Sequence, residues 1–145
     1  MAYSATHIAK HILLLSNPDI GDLISNLKLQ KLLYYSQCYH LAMYDKPLFN
    51  EDIYAWQYGP VVPDVYHEYK HLGPEAIAVP EEEVEPIDAQ SSALIKEIYE
   101  VFGQFSALKL MEMTHNETPW KTTQMNEIIG LETMKDFFIP FVIKD

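Results

Sequence analysis

Hydrophobic positions recur every three to four residues along most of this 145-residue chain, which is the pattern of amphipathic helices. The longest such segment begins near Ser25 or Asn26 and continues to about Tyr44, and its apolar residues occupy more than one side. We therefore predict that this helix lies at the centre of the fold. Cap residues and periodicity predict further helices at about 4–16, 63–72, 88–102, 106–113, 118–120 and 131–138.

The segment 53–66 departs from this helical pattern. Residues 53–58 are aromatic or apolar apart from Gln57, which favours a short extended run. Gly59 and Pro60 are expected to end that run, since proline has no N–H and fixes its own φ. Pro63 suits the first turn of a helix. The sequence thus predicts a rigid corner between an extended aromatic segment and a short helix.

The predicted fold class is mainly α, a compact single domain spanning residues 1–145 with about six helices. A small extended element is expected around residues 53–58 and 76–79, with the second stretch pairing with the first. The last helix is predicted to stop before Pro140, because proline interrupts helical hydrogen bonding. This leaves an apolar tail at residues 141–143.

Composition favours a packed globule in a reducing compartment. Hydrophobic residues make up 48% of the chain and aromatic residues 12%, and the single cysteine, Cys38, allows no internal disulfide. Neither a signal-peptide pattern nor an apolar run of about 20 residues occurs, so no membrane association is predicted. The expected location is the cytoplasm.

The charge balance bears on partners. With 21 acidic and 10 basic residues, the net charge of −11 opposes the phosphate backbone of nucleic acids. Several of the glutamates lie in residues 80–86, which are bracketed by prolines and predicted to form an exposed acidic loop. Nucleic-acid binding is not expected, whereas a basic protein partner would be attracted.

One segment has the spacing of a catalytic metal site. His67, Glu68 and His71 match the His-Glu-x-x-His pattern of zinc peptidases, in which two imidazoles one helical turn apart bind zinc. Gly73-Pro74 ends the helix directly afterwards, and Lys70 adds a cation beside the would-be metal. A zinc-dependent peptidase is thus an alternative to an amphipathic surface helix. We predict no catalytic residue, metal or cofactor.

Two polar features near helix ends are open to two interpretations each. Lys28 and Lys31 lie near the start of the long helix, where cations are unfavourable, so they are either a solvated pair or a site for an acidic partner residue. The turn at residues 114–120 is either a helix cap with Trp120 as a core anchor or a surface of direct contact.

Three segments together resemble one known family. They are Leu29-Gln30-Lys31-Leu32-Leu33-Tyr34-Tyr35, then Ala55-Trp56-Gln57-Tyr58-Gly59-Pro60-Val61 running on to Tyr69-Lys70, then Ser106-Ala107-Leu108 through Thr114-His115-Asn116-Glu117-Thr118-Pro119-Trp120. Their order and spacing resemble the Panacea domain, a family that includes SocA-like antitoxins and GepA-type phage-associated proteins.

The resemblance implies an α-rich, non-enzymatic cytoplasmic antitoxin that neutralises a toxin encoded by a neighbouring gene through direct protein contact. It also implies an association with prophages, and a cellular protease as a second partner for members that act as adaptors. A proteolytic adaptor or a prophage interaction protein without a toxin is the alternative. The oligomeric state is left open.

The partner-binding residues are predicted from the motif segments and from the frequency of Tyr and Trp as interface anchors. A second group of residues, in the turn that follows the predicted helix 106–113, is expected to stabilise the fold rather than to contact a partner. The partner-binding candidates are Lys31, Tyr35, Trp56, Tyr58, Gly59, Pro60 and Tyr66, and the structural candidates are His115, Pro119 and Trp120.

Overall fold

Helix α2 (Asn26–Tyr44) runs through the centre of the protein in a computed structural model that describes residues 2–142. The side chain of Ser25 caps it by accepting a hydrogen bond from the Lys28 N–H at 3.3 Å. Buried residues occur on every side of the helix, and four other helices pack around it. The predicted central helix is confirmed.

The described part of the chain is mainly helical, as predicted. Ser4, Asp88 and Ser106 cap three of the helices by accepting a backbone N–H, which confirms the starts inferred from their sequence. None of the helices within residues 2–142 is long and apolar enough to span a bilayer. The helices besides α2 are α1 (Ala5–Leu13), α3 (Pro63–Tyr69), α4 (Ala89–Phe102), α5 (Ala107–His115), α6 (Thr118–Lys121) and α7 (Leu131–Val142).

The aromatic segment forms a hairpin rather than a simple corner. Strand β1 (Tyr54–Trp56) pairs antiparallel with strand β2 (Gly59–Val61), so Gly59-Pro60 continues the sheet that it was expected to end. Pro60 lies opposite Ala55, whose N–H and C=O bond to residues 127 and 126 on the other side of β1. Ala55 and Pro60 are thus a non-hydrogen-bonded pair, and the missing N–H of Pro60 costs no ladder bond.

The other edge of β1 is covered by a segment far along the sequence. Ala55 N–H donates to Glu127 O at 2.9 Å, and Ile129 N–H donates to Ile53 O at 2.8 Å. The prediction that residues 76–79 pair with this edge is wrong. Ile77 instead donates its N–H to Ile24 O at 2.8 Å, just before α2.

Helix α7 continues past Pro140, contrary to the predicted stop. Pro140 lies in the last turn, where it removes only the bond to the carbonyl four residues earlier and few residues follow it. Two residues of the predicted apolar tail, Phe141 and Val142, therefore belong to the helix, and Phe141 is exposed. Ile143 lies outside the described residues.

Candidate functional site

A relay of hydrogen bonds through the buried side-chain amides of Gln30 and Asn26 fixes residues 62–66, which follow the hairpin. Gln30 accepts a hydrogen bond from Val62 N–H at 2.9 Å and donates to Asn26 Oδ1 at 2.9 Å. Asn26 in turn donates to the carbonyl of Tyr66 at 3.0 Å. Both amides are buried, and the two bonds of Gln30 are protected from water. The first turn of α2 therefore sets where α3 begins.

The side chain of Lys31, on α2, contacts the hairpin. Its side chain is fully buried, and Nζ donates to the carbonyl of Pro60 at 3.2 Å. Burial lowers the pKa of Lys31 to about 7. Lys28 is also buried and donates to Gly103 O at 2.6 Å. Both interpretations of this lysine pair are thus wrong, because the amines bind backbone carbonyls rather than solvent or a partner.

Gly59 is the point of closest approach between the hairpin and the helices. Its φ of +110° favours glycine. A Cβ atom at this position would lie 2.8 Å from Lys31 Cε and 2.9 Å from Thr114 Oγ1. Glycine is therefore required both by the backbone conformation and by the space between α2 and α5.

A half-buried carboxylate joins α2 to the turn before α6. The hydroxyls of Tyr34 and Tyr35 donate to the two carboxylate oxygens of Glu117 at 3.0 and 2.8 Å. Burial raises the pKa of Glu117 to about 7, against the opposite effect of these two hydrogen bonds. Burial, followed by the nearby charge of Glu117, raises the pKa of Tyr35. The cluster is a satisfied structural network that carries a titratable proton.

Of the predicted structural residues, Trp120 bonds the hairpin directly and His115 packs on Trp120. Trp120 Nε1–H donates to the carbonyl of Trp56 at 2.8 Å. His115 stacks on the indole of Trp120, with ring centroids 4.1 Å apart and an interplanar angle of 27°. Pro119 is buried at the start of α6. The turn at 114–120 thus anchors the hairpin through Trp120, while no side-chain hydrogen bond caps the start of α6.

A surface cavity of about 480 Å³ opens beside the hairpin. The rings of Trp56 and Tyr66 meet edge to face at 5.3 Å in its wall, and Asn26 and Gln30 also line it. A rigid backbone thus holds a partly apolar concave surface, which is the form of many binding sites. Its other polar and aromatic lining residues include Gln57, Tyr58, Lys70 and Asn126.

The predicted partner-binding residues divide between the interior and this cavity. Tyr58 is 58% exposed, and Trp56 and Tyr66 are half-buried, so these three are open to contact. The other four are buried, which corrects the expectation that they touch a partner. Their place is the inner side of the hairpin, for Gly59 and Pro60, and the central helix, for Lys31 and Tyr35.

Sequence reasoning missed several residues that hold the site. Gln30 and Glu117 belong to the motif segments, but the sequence predicts no role for either, because a lone polar residue on a helix or turn is usually solvated. Asn126 was missed entirely. It has a φ of +72°, and its position beside β1 depends on a pairing that no local pattern indicates.

The arrangement of His67, Glu68 and His71 does not follow the zinc-peptidase pattern. Helix α3 ends at Tyr69, and His71 lies in the 3-10 turn that follows, so the two histidines do not share one continuous α-helix. The ring of His67 packs near Tyr66 and Trp56, with centroids 5.5 and 6.2 Å apart. Within residues 2–142 no group of three metal-binding side chains is present.

Comparison with known proteins agrees with these features. The family model described as "Antitoxin SocA-like, Panacea domain" matches residues 29–121, which include most of α2, the hairpin, α3 and the turn at 114–120. Antitoxin SocA of Caulobacter vibrioides (strain NA1000 / CB15N) is 33% identical over 109 residues, covering 67% of this chain and 58% of the relative.

The chain thus spans less than two-thirds of that relative's length. No solved structure matches the chain. The family match covers more than half of the chain and includes Gln30, Lys31, Gly59 and Trp120, which fix the hairpin. On these grounds the protein belongs to the Panacea-domain family of SocA-like antitoxins.

Proposed function

We propose that this protein is an antitoxin that neutralises a cognate toxin by direct contact, using the surface around the hairpin tip. The observation that carries the proposal is the exposed aromatic tip held by a rigid, buried base. Tyr58 is 58% exposed at the turn of a hairpin whose backbone is fixed by Lys31, Gln30 and Trp120. Preorganised aromatic side chains lose little conformational entropy on binding.

The charge of the protein supports the same proposal. A net charge of −11 attracts basic partners and speeds the encounter with them. Membership of an antitoxin family makes a toxin the class of partner to test first. The adjacent gene is the place to find it, as antitoxins of this kind are expected beside their toxins.

The experiment is co-expression with the toxin encoded next to this gene. The wild-type protein should restore growth and co-purify with the toxin, whereas Tyr58→Ala combined with Tyr66→Ala should weaken binding by about tenfold or more. Phe141→Ala is the matched control, because Phe141 has the same 58% exposure as Tyr58 but lies at the end of α7. Thermal unfolding of each variant separates lost contact from lost stability.

Three results would count against the proposal. Growth arrest that persists without a complex rejects toxin neutralisation for that pair. Equal weakening by Phe141→Ala places the contact outside the hairpin. Loss of toxin that depends on a cellular protease, with no stable inhibited complex, favours the adaptor alternative.

A further inference from the structure

The cavity beside the hairpin has a local charge opposite to that of the whole protein. Lys70 is the one charged side chain that lines it, and within residues 2–142 no Asp or Glu does so. This is notable in a chain with 21 acidic and 10 basic residues. The ammonium of Lys70 is exposed and forms no ion pair with any carboxylate of the described residues.

The two sides of α3 explain how the acidic residues are kept away. Tyr66 lies on α3, Lys70 is the first residue of the 3-10 turn that follows, and both line the cavity. Asp64 instead borders a separate cavity together with Glu51 and Asp52. Glu68 lies beside the hydroxyl of Tyr69, where burial and then this carboxylate raise the pKa of Tyr69 to about 12. Both carboxylates of α3 therefore face other surroundings.

The polar groups at the mouth of the cavity are free to bind a ligand. The amides of Gln57 and Asn126 make no side-chain hydrogen bond within residues 2–142, whereas those of Asn26 and Gln30 are engaged in the relay. The wall between them is aromatic, formed by Trp56 and Tyr66. A ligand that fits must offer an apolar or aromatic group, hydrogen-bonding groups and a negative charge.

We propose that this cavity receives a carboxylate-bearing segment of the toxin, with an apolar or aromatic side chain against Trp56 and Tyr66 and the carboxylate at Lys70. The proposal rests on the proposed function and names the chemistry of its contact. The acidic surface attracts a basic protein from a distance, and the cavity then selects one that carries an acidic residue at the right place. A basic protein that lacks a carboxylate at this place would not pair with Lys70, so the cavity distinguishes one basic partner from others.

A minimal probe tests the chemistry without the toxin. In ¹H–¹⁵N NMR titrations, N-acetyl-Phe-Glu should give saturable shifts of the backbone amides of Gln57, Gly73 and Asn126, which border the cavity. N-acetyl-Phe-Lys-amide should give none. Lys70→Met should weaken binding of the acidic dipeptide at least about tenfold, as expected for loss of a charge-assisted hydrogen bond. Lys96→Met, an exposed lysine on α4, should leave it unchanged.

Several outcomes would overturn the proposal. They are the absence of saturable shifts, equal binding of the two dipeptides, or an undiminished affinity in Lys70→Met. Tighter binding of phenyl phosphate than of the acidic dipeptide would also overturn it, since a phosphorylated ligand would then be preferred.

Co-expression separates this proposal from the proposed function. If Lys70→Glu neutralises the toxin as well as Lys96→Glu does, the charge contact at the cavity is wrong while direct neutralisation stands. If the dipeptide binds as expected but the wild-type protein forms no complex with the toxin, the cavity chemistry stands for another protein partner, and toxin neutralisation fails.

Discussion

Residues of the family motif lie on both sides of the hairpin, but those on the inner side are buried and those on the outer side are open to contact. On the inner side, Gly59 and Pro60 are buried against Lys31, which donates a hydrogen bond to the Pro60 carbonyl. On the outer side, Tyr58 is 58% exposed and Trp56 is half-buried at the edge of an open cavity. A residue within a family motif can therefore serve either the backbone or the partner, and burial distinguishes the two.

This division indicates why so much of the motif is structural. A loop tip that binds a partner is effective only if its backbone is held in one conformation. The inner side supplies that constraint through the bonds from Lys31 to Pro60 and from Trp120 to Trp56. Changes on the inner side should lower stability first and binding as a consequence, whereas changes at Tyr58 should lower binding alone.

The largest effect is expected from Gly59→Ala. The added methyl group meets Lys31 Cε and Thr114 Oγ1 at under 3.0 Å, and the φ of +110° is strained for alanine. Together these should lower the free energy of unfolding by about 2–4 kcal/mol, measured by urea denaturation.

Gly21→Ala is the matched control for Gly59→Ala. Its φ of +78° is also positive, but no heavy atom lies within 4 Å of the added Cβ. We expect it to cost about 1 kcal/mol, from backbone strain alone. Equal losses in the two variants would show that the close approach at Gly59 contributes nothing, and the contrast between the inner and outer sides would fail there.

The fold was predictable where its determinants are local. Ser25, Asp88 and Ser106 are cap residues followed by periodic apolar positions, and each caps the predicted helix. The segment 126–129 was missed because its pairing with β1 joins residues that are distant in sequence. Strand β2 was missed although it pairs with β1 across a two-residue turn. Pro60 was evidence against a strand because proline has no N–H to donate. Only the pairing register shows that this costs no ladder hydrogen bond.

The candidate site was predictable in part for the same reason. The density of aromatic residues pointed to Trp56, Tyr58 and Tyr66, which the structure leaves at least partly exposed beside the cavity, since aromatic composition is visible in the sequence. The burial of Lys31 was not visible, because it depends on Gly59 packing over the lysine from another part of the chain. A cation near the start of a helix was the available sign that something unusual occurs there.

A smaller effect, with a characteristic pH dependence, is expected from Lys31→Met. The pKa of Lys31 is about 7 in the folded protein against 10.5 ordinarily, so between these values the unfolded chain binds more protons and wild-type stability rises with pH. Methionine does not titrate, so the variant lacks this rise of stability with pH. It also leaves the Pro60 carbonyl without its hydrogen-bond donor, which should lower the free energy of unfolding by about 1–3 kcal/mol near pH 9. Near pH 6 the loss should be smaller, because the variant also avoids burying a charge.

Urea denaturation of wild type and Lys31→Met at intervals from pH 6 to 9.5 checks this prediction. The quantity to compare is the difference in free energy of unfolding between the two proteins, since other groups titrate equally in both. A difference that stays constant over this range would mean that Lys31 keeps an ordinary pKa. The inner side of the hairpin would then be open to solvent, like the outer side.

The smallest effect is expected from Glu117→Gln, and its pH dependence has the opposite sign. The pKa of Glu117 is raised from 4.5 to about 7, so its contribution to stability is fully present below pH 4.5 and is lost as the pH rises through 7. Glutamine stays neutral but offers one acceptor oxygen to Tyr34 and Tyr35 instead of two. The variant should therefore lie within about 1 kcal/mol of wild type at pH 7 and gain relative to it between pH 4.5 and 7.5 in urea denaturation. A free-energy difference independent of pH would mean that partial burial does not raise the pKa of Glu117.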